Sequence, residues 1–175
     1  MFCCALDIEV VSTRSLKSEL RGFTCDMCVV GVYIPHRFRK RAPFQTDTLQ
    51  ELREFLHTIP SSMQVVVAGD FNAKLARNME GIVGKYAMHP RCDEGGSELA
   101  SIMRETDLVA ASTYFRPKAS QSLGNATYVN SKSQAKQTAS QIDYILVSGR
   151  RKSSVLKCGT AWSAAIHRYG WKYDH

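Results

Sequence analysis

The chain has 175 residues, of which 44% are hydrophobic and 22% are charged, and it carries a formal net charge of +7 at pH 7. This length allows one domain with its own core. No apolar run approaches the roughly 18 residues of a transmembrane helix, and the first residues lack the basic n-region of a secretory signal. We therefore expect an intracellular protein that is not secreted and does not enter a membrane, with a nuclear location as one alternative. The positive charge favours a polyanionic partner such as nucleic acid.

Apolar runs alternate with polar segments in the first half of the chain. Strands are predicted at three such runs, residues 5–11, 25–34 and 64–69. The polar segment 12–22 ends in glycine and predicts a loop or a short helix. Leucines at helical spacing predict a helix that ends at Ile59, before Pro60.

The second half begins with a long segment, residues 75–96, whose Gly, Asn and Pro content predicts an irregular loop. A helix is expected at 97–106, and residues 131–140 are expected to form a polar turn. Further strands are expected at 108–113, 126–129, 141–147, 155–158 and 161–166. Strands outnumber helices without regular alternation, which predicts one α/β domain over 1–175, a layered sandwich with mixed or antiparallel sheets.

One tetrapeptide, Gly69-Asp70-Phe71-Asn72, follows the apolar run that ends at Ala68. Strand alternation predicts that the side chains of Asp70 and Asn72 lie on the same side. A carboxylate can take a proton from water and a carboxamide can orient that water, as phosphoryl chemistry requires. The same residues are also typical of a simple turn cap.

A second group of acids lies further along the chain. Asp143 interrupts an apolar strand, where a carboxylate needs a partner. The chain ends at Asp174-His175, and an imidazole is a suitable partner for Asp143. Asp70 and Asp174 could face the same cleft, where carboxylates suit Mg²⁺ or Mn²⁺. Taken singly, Asp143 is equally typical of a strand edge, and the terminal pair of a solvated chain end.

The cysteines offer a competing metal hypothesis. Cys25 and Cys28 form a Cys-x-x-Cys pair that could bind zinc together with Cys3 and Cys4. That spacing is not a common zinc pattern, so we expect reduced, structural thiols.

The order of these motifs resembles the endonuclease/exonuclease/phosphatase family, which includes apurinic endonucleases, DNase I and retrotransposon endonucleases. The matching segments are Val32-Tyr33-Ile34-Pro35, Gly69-Asp70-Phe71-Asn72, Gln141-Ile142-Asp143-Tyr144-Ile145-Leu146 and Tyr173-Asp174-His175. Within the family, the sequence of these motifs is most similar to that of non-LTR retrotransposon endonucleases and of craniofacial-development-protein-like sequences. The resemblance implies a DNase I-like layered β-sandwich flanked by helices.

The resemblance also implies roles for individual residues. Asp70 would handle the attacking water or the leaving group, and Asn72 would orient that water. Asp174 would hold the metal together with Asp70. His175 would contact and polarise the scissile phosphate, or act as a general base, with Asp143 orienting it. Tyr33 would donate a hydrogen bond to the phosphate, although inside a strand it is also typical of a packed aromatic.

DNA is the expected partner. Basic residues expected to contact it lie in one loop and one turn; they are Arg37, Arg39, Lys40, Arg41, Lys132 and Lys136. Such runs are as often only solvated loops.

The chain departs from the family pattern at both ends. The family carries an Asn strand and a metal-binding Glu strand before the region of Tyr33, and neither has a convincing match here. Glu9 is a poor substitute, and the chain stops at His175. We therefore expect an incomplete, N-terminally truncated fold with weak or no turnover. The alternatives are an inactive remnant that binds nucleic acid and a phosphatase of the same fold.

Overall fold

The computed structural model describes residues 4–12, 15–21, 26–36, 42–118, 123–130 and 138–160. Its strands are β1 (Cys4–Ser12), β2 (Ser15–Arg21), β3 (Met27–Tyr33), β4 (Gln64–Asp70), β5 (Leu108–Ala110), β6 (Tyr128–Asn130), β7 (Thr138–Ser140) and β8 (Asp143–Ser148). Its α-helices are α1 (Ala42–Thr58) and α2 (Glu94–Glu105), and short 3-10 helices cover Ala111–Tyr114 and Gly149–Ser154.

Six of these strands form one mixed sheet in the order β1-β2-β3-β4-β8-β5. Strands β3 and β4 are parallel, and α1 lies between them in the chain, as a parallel connection requires. The other neighbours in this sheet are antiparallel. Strands β6 and β7 form a separate antiparallel pair. The predicted mixed α/β class is confirmed.

Most predicted elements agree with the structure within a few residues, and the segment 12–22 is the clearest exception. The predicted loop or short helix is wrong, because β2 pairs with β1 on one side and with β3 on the other. The polar side chains of β2 show no apolar alternation, so the sequence did not predict a strand. The strand forms because both neighbouring strands satisfy its backbone groups regardless of side-chain type.

Other boundaries also shift. Helix α2 begins three residues before the predicted start, because the side chain of Asp93 caps it by accepting the Gly96 N–H at 2.8 Å. The strand predicted at 108–113 ends at Ala110 and continues as a 3-10 helix. The predicted turn 131–140 contains β7 at its end. None of the helices in the described ranges has the length and apolar content needed to cross a bilayer.

The strand predicted at 155–158 is wrong as well. These residues pair with no strand among those described, and Val155 and Cys158 instead pack against Val109 and Val147. Its predicted partner at 161–166 lies outside the described residues.

The main core lies between the helices and one face of the six-stranded sheet. Along β3, Cys28, Val30 and Val32 are buried and the residues between them are more exposed. The buried side chains of β3 pack with α1, α2 and the segment that follows β4. The opposite face is more open: Leu16 is 50%, Tyr33 49% and Ile145 43% exposed. We call these the covered face and the open face.

Candidate active site

Three predicted site residues lie side by side at one end of the open face. Tyr33 is the last residue of β3 and pairs with Asp70, the last residue of β4. Asp70 pairs in turn with Asp143, the first residue of β8. Residues in register on neighbouring strands project from the same face. Tyr33 is exposed, so it is not the packed aromatic that its strand position also allowed.

Asp70 and Asp143 lie directly opposite each other across an antiparallel pair of strands. The adjacent ladder bond, from the Phe71 N–H to the Ile142 carbonyl, is 3.0 Å long. In this register opposing Cβ atoms approach to about 5 Å, and like charges so placed are destabilising. An arrangement that costs stability is typical of a functional site.

Gly69 is required by the close approach of β3 to β4. Its φ is +157°, and a Cβ added here would lie 1.9 Å from the Val32 carbonyl oxygen. No other residue fits, because the obstacle is backbone. Gly69 therefore sets where β4 ends and where Asp70 emerges.

Asn72 holds Asp70 through a tight turn. Its backbone N–H donates to Asp70 Oδ1 at 2.8 Å, and its Nδ2 donates to Asp70 Oδ2 at 3.2 Å and to the Ile34 carbonyl at 2.9 Å. Strand alternation does not bring these residues together, contrary to the prediction, because β4 ends at Asp70 and Asn72 has a left-handed φ of 44°. Asn72 as the residue that orients water stays a prediction.

Below this turn, Phe71 and Tyr144 anchor the site to the core. Phe71 is fully buried, and its ring centroid lies 6.0 Å from that of Tyr144. The Tyr144 hydroxyl accepts the Leu75 N–H at 3.1 Å and donates to the Gln141 carbonyl at 2.8 Å. Burial raises the pKa of Tyr144 far above its usual range, so the phenol stays protonated.

The start of β8 is held by side chains from two other segments. Thr127 Oγ1 accepts the N–H groups of Ile142 and Asp143 at 3.0 and 3.1 Å. His89 Nε2 accepts the Gln141 N–H at 3.1 Å, and burial lowers the pKa of His89. A neutral imidazole is the form that can accept this bond. Thr127 thus holds the backbone at Asp143, and His89 holds the residue two positions before it.

Asp70 and Asp143 line a cleft of about 250 Å³. Its wall is completed by hydroxyl, thiol, apolar and backbone groups of Gly69, Ser112, Thr127, Tyr144, Ile145, Cys158, Gly159 and Thr160. Burial raises the pKa of the Cys158 thiol, which keeps it protonated and a poor metal ligand.

Several predicted residues lie outside the described part of the chain. These are Asp174, His175, Arg37, Arg39, Lys40, Arg41, Lys132 and Lys136. Glu9 lies on β1, and its backbone pairs with Lys17, three residues along the sheet from the register of Asp70. Of the four cysteines in the zinc hypothesis, only Cys28 has a described side chain, and it is free and buried.

The cleft offers oxygen donors for the divalent cation that the resemblance implies. Within the described ranges, no three His, Cys, Asp or Glu side chains are placed to share a metal ion. Asp70 and Asp143 are two adjacent hard oxygen donors, which fit Mg²⁺ or Mn²⁺ better than a soft metal. Both ions commonly keep several water ligands, so two carboxylates are enough ligands from the protein.

Sequence reasoning missed two residues that support the site, Gln45 and His89. Gln45 is buried on α1 and donates from Nε2 to the Asn72 carbonyl at 3.2 Å. A signal existed: Gln45 precedes Leu49, Leu52 and Leu56 at helical spacing, so it is a polar residue on the apolar stripe. No comparable pattern marks His89 in its irregular loop.

The chain also matches a known protein family over most of its length. A profile of the endonuclease/exonuclease/phosphatase family matches residues 7–163. This match covers most of the chain, which therefore belongs to that family, and its mixed sheet with two flanking helices is a DNase I-like fold. No curated protein matches the sequence significantly.

Among solved structures, the chain is similar to the endonuclease domain of TRAS1, a telomere-specific non-LTR retrotransposon. The identity is 15% and the TM-score is 0.49. The alignment covers 80% of this chain and 54% of the TRAS1 domain, so the chain spans about half the length of that structure.

Proposed function

We propose that this protein hydrolyses phosphodiester bonds of DNA with a divalent cation, Mg²⁺ or Mn²⁺. One observation carries the proposal within the family: Asp70 lies opposite Asp143 in the cleft at the end of the open face. Two carboxylates that line one cleft offer adjacent oxygen donors to a cation, and a hydrolase of phosphate esters uses a cation to stabilise charge on the phosphate.

Asp70 and Asp143 would hold the cation. When bound, it supplies electrostatic stabilisation of the charge that develops on the phosphate and on the leaving oxygen. Asp174 stays the predicted further ligand.

We call Tyr33, Asp70 and Asp143 the acidic row, and these residues have further roles besides holding the cation. Asp70 accepts the proton of the attacking water, and Asn72 keeps its carboxylate aimed by two hydrogen bonds. Tyr33 is exposed beside Asp70, where its hydroxyl can donate to a phosphate oxygen. His175 as the phosphate contact, oriented by Asp143, remains part of the proposal.

DNA is favoured over a small phosphate ester by the charge of the chain. The net charge of +7 attracts a polyanion along its length, whereas a single phosphate uses little of it. The basic groups at 37–41, with Lys132 and Lys136, would contact backbone phosphates. Binding should then weaken steeply as salt is raised.

The test is nicking of supercoiled plasmid in Mg²⁺. Asp70→Asn should lower the nicking rate at least about 100-fold, because the amide can neither accept the proton nor share the cation. Asp47→Asn is the matched control, since it removes an exposed carboxylate from α1.

The outcomes separate three functions. Nicking that is lost in Asp70→Asn and kept in Asp47→Asn supports the proposal. Salt-sensitive DNA binding without nicking would instead show an inactive nucleic-acid-binding protein. Phosphate release from nucleotide or phosphoinositide substrates without nicking would show a phosphatase.

A further inference from the structure

Gln45 is a buried amide with an unusual hydrogen-bonding state. Only 1% of it is exposed, and its Nε2 donates to the Asn72 carbonyl at 3.2 Å. Its Oε1 has no hydrogen-bond partner among the described residues. The amide cannot be reversed, because an oxygen facing the Asn72 carbonyl would meet another acceptor. Burying an unpaired acceptor costs free energy.

The surrounding chain leaves Gln45 little freedom. A Cβ added to Gly95, in the first turn of α2, would lie 3.1 Å from both Nε2 and Oε1. The amide therefore fits closely against the backbone of α2 on one side and reaches the turn after β4 on the other. Glycine at 95 allows this approach.

The contact reaches the proposed catalytic carboxylate through one residue. Gln45 fixes the carbonyl of Asn72, while the N–H and side chain of Asn72 hold both oxygens of Asp70. Asn72 is in the left-handed region, which asparagine tolerates better than most L-residues but which is still less favourable than the ordinary helical and extended regions. Gln45 therefore holds the carbonyl group of Asn72, whereas Asp70 bonds to its N–H and its side chain.

We propose that Gln45 is a positioning residue, which sets the orientation of the Asp70 carboxylate by fixing Asn72 from helix α1. The catalytic part of this inference rests on the proposed function, whereas the geometric part does not. A group that only stabilised the fold would be expected to pair its buried Oε1 as well as its Nε2.

The test substitutes Gln45→Met, which keeps the volume and removes the donor. Stability should change little, because the unpaired Oε1 is removed together with the bond. The exchange rate of the Asn72 amide, measured by NMR, should rise about tenfold. The kcat for nicking should fall about tenfold with KM nearly unchanged, because the Asp70 carboxylate is misoriented while the binding of DNA is not weakened.

Leu52→Met is the matched control. It places the same side chain on the same buried face of α1, two turns further along. Its amide exchange at Asn72 and its kcat should equal those of the wild type. If Gln45→Met does not fold, Gln45→Asn keeps the amide but is one methylene too short to reach Asn72, and the same changes are expected.

The inference would be overturned if the Asn72 amide of the folded Gln45 variant exchanged at the same rate as in the wild type. An unchanged kcat would overturn it as well. If the wild-type protein does not nick plasmid, the proposed function fails by itself. The exchange measurement then still decides whether Gln45 positions Asn72.

Discussion

The same strands form both faces of the central sheet, but one face carries most of the core and the other carries the candidate site. On the covered face, Val30, Val67 and Leu146 are almost fully buried beneath the helices. On the open face, Tyr33 and Ile145 are among the most exposed large side chains described. At the cleft end of the sheet, alternation along a strand thus separates stability from chemistry by a single residue, whereas further along β8 Val147 of the open face is buried in a second, smaller apolar cluster.

The open face is itself graded along its length. Leu16, Gly31, Ala68 and Ile145 are side by side in register, an apolar row with small residues in the middle. The next row toward the cleft contains Tyr33, Asp70 and Asp143. We therefore expect substitutions on the covered face to lower stability, and those in the acidic row to lower activity.

The largest expected effect on stability comes from Gly69→Ala. Its new Cβ would lie 1.9 Å from the Val32 carbonyl oxygen, so β3 and β4 must separate. We expect a loss above about 3 kcal/mol in urea unfolding. Gly31→Ala is the control, because a Cβ there meets nothing within 4 Å, and it should change stability by less than about 1 kcal/mol. Equal losses in the two variants would show that close approach is not why residue 69 is glycine.

Neighbouring residues on β8 compare the two faces directly. Leu146 is buried on the covered face, and Leu146→Ala should cost about 2–5 kcal/mol of unfolding free energy. Ile145 lies on the open face, and Ile145→Ala should cost about 1 kcal/mol or less. Thermal and urea unfolding of both variants measure the difference, which would vanish if the open face carried as much of the core.

The smallest effect is a pH dependence from His89. Burial holds the pKa of His89 in the folded protein below its ordinary value. As the pH falls, the unfolded chain therefore takes up this proton first, and the contribution to stability is lost below about pH 6.5. His89→Gln does not titrate and can still accept the Gln141 N–H. Between about pH 7.5 and 5.5, the melting temperature of the His89→Gln variant should fall less than that of the wild type. Equal falls in the two proteins would exclude His89 as the cause of the pH dependence.

The sequence predicted what depends on strong local patterns. The apolar run before Gly69 and the order of motifs were enough to expect Asp70 and Asp143 near one another. It did not predict β2, whose backbone partners are distant in the chain, or Gln45, whose role needs the packing of α1 on the turn. The link between Asp70 and Asn72 was anticipated for the wrong reason, since a left-handed turn makes it and not strand alternation.

Asp143→Asn tests most directly whether the acidic row does chemistry and not structure. The amide keeps the shape and removes one of two facing charges, so the melting temperature should stay equal or rise while plasmid nicking in Mg²⁺ falls at least about 100-fold. Nicking at the wild-type rate by a folded Asp143→Asn protein would contradict the account.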